Sequence, residues 1–97
     1  MIIEFKNLKE LLAFNIKYYR YKNNLSQEKL AEMCSLSPRY ITDIEKGKHS
    51  PTILKIEEIA KALNVEPYML FQNVKRNPKI IAKINSSRQY NQKSIVS

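Results

Sequence analysis

Apolar residues at Leu8, Leu11, Leu12, Ile16 and Tyr19 recur three and four positions apart, the stripe of a helix with one buried face. Asn7 precedes the stripe as an N-cap, and Glu10 completes a capping box. Asn23-Asn24 supplies a left-handed stop, so the first helix is predicted over 8–22. Ser26 caps a second helix over 27–34, with Leu30, Ala31 and Cys34 on one face and Glu28 in the first turn. Only Ser35 and Leu36 precede the next cap, Ser37. Pro38 suits the first helical position because its missing N–H has no partner to lose there. The third helix, over 38–46, turns Ile41 and Ile44 inward and ends where Gly47 can go left-handed.

Ser50-Pro51-Thr52 opens a fourth helix, with Ile53, Ile56, Ile59, Ala60 and Leu63 at helical spacing and Asn64 as its stop. After Val65, Pro67 opens a short fifth helix carrying Tyr68, Leu70 and Phe71. The expectation is an all-α fold, a compact five-helix bundle with turns of a few residues. The whole chain, 97 residues with 43% apolar side chains, suits one domain with a filled core. A single glycine argues against a sandwich or barrel, whose many turns need special backbone angles.

Charge divides the chain. Seventeen Lys and Arg face nine acids, a net of +8. Residues 73–97 hold six of the basic residues and none of the acids, so the first 72 residues carry +2 and the rest +6. The domain is therefore expected over 1–72, with 73–97 a basic tail. Ile80, Ile81 and Ile84 can line a short helix after Pro78 and extend a dimer contact. The tail reads either as a solvated end or as an arm on phosphates or a minor groove. Such a balance points to a polyanionic partner, although charge alone does not separate DNA, RNA and an acidic membrane surface.

Other chemistry is sparse. Cys34 is the only cysteine, so no intrachain disulfide is possible, and it reads as a small core residue. His49 is the only histidine and reads as a solvated loop residue, so neither a metal site nor a Ser/His/acid set is expected. Glu57 and Glu58 are adjacent and diverge on a helix, which removes a paired-carboxylate site. One glycine permits no phosphate-cradling loop. The expectation is a protein without catalytic residues, metal or cofactor. No run of 18 apolar residues occurs, no signal-peptide stretch opens the chain, and the cytoplasm is the expected location. Tyr19 is placed in the core, with Tyr18 and Tyr21 beside it near the surface.

The functional feature is the pair of short helices joined tightly between Ser26 and Gly47. Leu25-Ser26-Gln27-Glu28-Lys29-Leu30-Ala31, Leu36-Ser37-Pro38-Arg39-Tyr40-Ile41, Ile44-Glu45-Lys46-Gly47-Lys48, Pro51 and Ile59-Ala60-Lys61-Ala62-Leu63-Asn64-Val65 follow one another in order and spacing. Over Leu12 to Phe71 the chain resembles the Cro/phage-repressor (XRE) helix-turn-helix family. The resemblance implies a lambda-repressor-like DNA-binding fold, with the third helix as recognition helix.

It also assigns roles. Ser37, Pro38, Arg39, Thr42 and Asp43 match positions at or beside base edges. Arg39 suits guanine O6 and N7, and Asp43 either accepts from a cytosine amine or orients Arg39 one turn away. Ser26, Gln27, Tyr40, Lys46 and Lys48 are expected at phosphates. Arg20 and Glu45 match a structural ion pair, and Val65, Pro67, Tyr68 and Met69 a dimer contact. The expected partners are double-stranded DNA and a second copy of the chain, with no membrane. The implied activity is transcriptional repression or regulation from an inverted-repeat operator. The context is a phage, a mobile element or a restriction–modification operon. An alternative is an antitoxin that binds a toxin protein and autoregulates its operon, its tail folding on the toxin. One position departs from the family: glycine is usual where Ser35 stands, and a left-handed angle costs serine about 1–2 kcal/mol.

Overall fold

The computed structural model describes residues 3–86, and the remainder of the tail, 87–97, lies outside the described residues. Four α-helices, α1 (Leu8–Lys22), α2 (Gln27–Cys34), α3 (Pro38–Glu45) and α4 (Ile53–Leu63), are followed by a 3₁₀ turn, Pro67–Phe71. A further helix, α5, spans 78–86. The first three N-caps act as expected: Asn7, Ser26 and Ser37 accept from the backbone amides of Glu10, Lys29 and Tyr40. Thr52 does the same for α4, accepting from Lys55. The return bond of the α1 capping box is shifted by one residue, with Glu10 Oε1 accepting from the Lys6 amide at 3.2 Å.

Helices α1 to α4 end in one way. Asn24, Ser35, Gly47 and Asn64 have φ of 57°, 56°, 74° and 60°. After each, the next amide reaches back five residues along the helix: Leu25 to Arg20 O, Leu36 to Ala31 O, Lys48 to Asp43 O and Val65 to Ala60 O, all at 2.9–3.0 Å. This is the Schellman closure, which satisfies the last carbonyls. Ser35 thus adopts the left-handed angle that glycine usually fills.

The core contains Leu12, Ile16, Leu30, Ala31, Cys34, Ile41, Ile44, Ile59, Leu63 and Leu70. Two expected core positions are exposed: Leu8 and Ile53, the latter 77% accessible. Each is the first residue of its helix, so it projects past the body although its spacing fits the stripe.

Past Gln72, where composition placed the domain boundary, the chain continues into α5. Ile80 and Ile84 are buried in the same core and Ile81 is half-buried against it. Arg76 precedes α5 and is buried too. Its guanidinium lies 5.1 Å from the Phe14 ring, 5.4 Å from Phe5 and 6.0 Å from Tyr18. It donates to Asn15 Oδ1 at 2.6 Å and to Asn73 Oδ1 and the Val74 carbonyl, both at 3.2 Å. The Asn15 amide donates in turn to the carbonyls of Leu70 and Gln72. Burial lowers the Arg76 pKa, opposed by Tyr19 and Tyr18. Tyr18, expected near the surface, is buried, and its hydroxyl accepts from the Asn77 amide at 2.8 Å. The segment leading into α5 covers it.

Candidate nucleic-acid interface

α3 packs on α2 and α1 through Ile41 and Ile44 and turns its opposite side outward. Ser37, Pro38 and Arg39 are exposed at its start, while Tyr40, Thr42 and Asp43 are half-buried. Lys46 and Lys48 are exposed just past its end, and Ser26 is exposed at the start of α2. Nine of the ten residues assigned to bases or phosphates therefore border one surface formed by α3, its flanks and the α2 N-terminus. The tenth, Gln27, is half-buried between the two helices.

Gln27 is more occupied than the sequence suggested. Its Oε1 accepts from Thr42 Oγ1 at 2.9 Å, and its Nε2 donates to Glu45 Oε1 at 3.1 Å. An amide nitrogen has two N–H groups, so the second remains for an external acceptor. Thr42 Oγ1 also lies 3.0 Å from the Pro38 carbonyl.

Glu45 is the centre of this network. Arg20 reaches it from α1 with Nε to Oε2 at 2.7 Å and NH2 to Oε1 at 3.0 Å. A third guanidinium donor goes to the Leu25 carbonyl at 2.9 Å, and the Arg20 guanidinium stacks 4.7 Å from the Tyr21 ring. Burial works to lower the Arg20 pKa, but the bond to Glu45 and its charge, with Tyr21, raise it on balance. α1, α2 and α3 thus meet at one carboxylate.

On the outer face, Asp43 divides its carboxylate. Oδ1 lies 3.4 Å from Arg39 Nε and Oδ2 lies 3.5 Å from His49 Nε2. His49 is an exposed loop residue, as expected, and its ring also sits 5.7 Å from that of Tyr40. The Gly47 closure turns the chain back along α3 and brings His49 to this contact.

Elsewhere, Cys34 is buried, and burial, then the Glu58 charge, pushes its thiol pKa up. Among the described residues no group of three His, Cys, Asp or Glu side chains could hold a metal ion. None of the described helices is long and apolar enough to cross a membrane. Tyr68 is 62% exposed beside the exposed Phe71, whereas Val65, Pro67 and Met69 are half-buried.

Comparison with known proteins agrees with this geometry. A family model described as helix-turn-helix matches residues 16–70. The chain is 45% identical over 60 residues to the control protein C.SmaI of Serratia marcescens, covering 62% of this chain and 71% of that one. Its fold superposes on the crystal structure of a hypothetical transcription factor from Neisseria with a TM-score of 0.69 and 28% identity, over 87% of this chain and 92% of that one. It also superposes on the restriction–modification controller protein C.Esp1396I, solved as a tetramer with its natural 35 base-pair operator. There the TM-score is 0.63 at 33% identity, over 69% of this chain and 88% of that one.

Proposed function

Because the chain belongs to the helix-turn-helix family of Cro/phage-repressor (XRE) type, we propose that it is a sequence-specific binder of double-stranded DNA that regulates transcription as a homodimer. The observation that carries this reading is α3, buried on one side at Ile41 and Ile44 and open on the other at Ser37, Pro38 and Arg39. A helix presented in this way fits the major groove, which is about 12 Å wide. Arg39 reads guanine, Pro38 offers apolar contact, and Ser37 and Thr42 lie beside them at the base edges. Asp43, with an oxygen toward Arg39 and another toward His49, serves to aim Arg39 rather than to accept from cytosine.

Ser26, Gln27, Tyr40, Lys46 and Lys48 hold phosphates and set the register without reading sequence. The start of α2 adds backbone amides and its positive dipole end. A second copy joins through Val65, Pro67, Tyr68 and Met69, placing two recognition helices on half-sites about 34 Å apart in an inverted repeat. The relatives named above are a restriction–modification controller, a control protein and a hypothetical transcription factor. They favour a controller of that type, acting in the cytoplasm as a binding protein rather than an enzyme, over the antitoxin alternative.

Selection of bound sequences from a random duplex pool would define the operator. Against that duplex, Arg39→Ala should cost about 1–3 kcal/mol, and much less against a scrambled duplex of equal length. Equal losses on the two would refute base reading by Arg39.

A further inference from the structure

We propose that His49 is a positioning residue for DNA reading, acting through Asp43 to hold Arg39 in its base-reading pose. This rests on the assignment of Arg39 to a base edge. The Arg39 side chain is 82% exposed, and among the described residues Asp43 is the charged group within reach of it. A long, exposed guanidinium loses rotamer freedom on binding, and any prior restraint lowers that cost.

Asp43 is suited to provide the restraint because its own side chain is only 14% exposed. It lies one turn along α3 from Arg39, where side chains four residues apart meet. One carboxylate oxygen on a rotatable bond is a loose support, however. His49 supplies the second point, with Nε2 at 3.5 Å from the other oxygen.

His49 is itself placed from two directions. The left-handed Gly47 and the Lys48 amide bond to the Asp43 carbonyl, 2.9 Å, fold the chain back along α3. The Tyr40 ring then backs the imidazole at 5.7 Å between centroids. The order of support is Tyr40 and the closure, then His49, then Asp43, then Arg39. The residue that touches no base in this scheme sets the aim of one that does.

The test compares wild type, His49→Ala, His49→Gln, Arg39→Ala and the His49→Ala/Arg39→Ala double variant. Dissociation constants are measured on the duplex selected from the random pool and on its scrambled counterpart. His49→Ala should weaken the selected duplex by about three- to tenfold and leave the scrambled one unchanged. Gln carries an N–H donor at similar reach and should restore most of the loss. The double variant should bind no worse than Arg39→Ala alone. Equal weakening on both duplexes would make His49 a plain phosphate contact and overturn the inference, as would additive losses in the double variant. Arg39→Ala losses equal on both duplexes would instead sink the reading of Arg39 itself, and this inference with it.

Discussion

Arg20 and Glu45 join α1 to α3 through two hydrogen bonds of 2.7 and 3.0 Å, with side chains only 10% and 2% exposed. The same carboxylate holds Gln27 of α2. The relative placement of α2 and α3 therefore passes through one buried acid.

Removing one partner leaves an uncompensated buried charge, so Arg20→Met or Glu45→Met alone should destabilise the fold by about 3–5 kcal/mol in urea titrations. The double variant should recover most of that stability, since two apolar groups replace the pair. It should still bind the selected duplex more weakly, because Gln27 and Thr42 have lost their anchor. Full binding by a stable double variant would show that the pair does not position the interface.

Ser35 pays a conformational cost at φ 56° that glycine avoids. Ser35→Gly should stabilise the protein by about 1 kcal/mol, less than the whole left-handed penalty because glycine also frees the unfolded chain. Thermal melting checks the sign. DNA affinity should not change, since the backbone of the turn already has the required shape.

Arg76 fastens α5 to the body through three aromatic rings and Asn15. Arg76→Ala removes these contacts and orphans the buried Asn15 oxygen, a loss of about 2–3 kcal/mol. Amide hydrogen exchange should show 78–86 losing protection before α1 does. Arg76→Lys should recover little, because an ammonium cannot reproduce the planar fork among the rings.

The exposed Tyr68 lies at the centre of the proposed dimer contact. Tyr68→Asp should raise the dimer dissociation constant at least about tenfold in sedimentation experiments, leaving the monomer fold intact. Operator binding should weaken in parallel, since two half-sites must be held together. A dimer constant that does not move would place the interface elsewhere.

Local signals in the sequence determined much of this molecule. Asn7, Ser26 and Ser37 cap the helices they precede, and Gly47 and Asn64 close the helices they follow, because capping and left-handed closure are made by residues within one turn of each other. The inward placement of Ile16, Leu30, Ile41, Ile59 and Leu63 was legible for the same reason, as helical periodicity sorts buried from exposed faces. Apart from the Arg20–Glu45 pair, which the family resemblance supplied, residues brought together from distant elements were not legible. Arg76 looked like one more charge in a basic tail, yet it is buried against Asn15, 61 positions away in the chain. Its burial, and that of Tyr18 beneath the segment entering α5, depends on where helices dock, which composition does not encode. Leu8 and Ile53 obey the apolar stripe and remain exposed because they overhang the ends of their helices. Likewise, the division of Asp43 between Arg39 and His49 needed the chain to double back after Gly47, so that two solvated charges and a lone imidazole became one arrangement. Short-range hydrogen bonding and periodicity reside in the order of residues. Long-range burial and charge pairing arise only once the elements have packed.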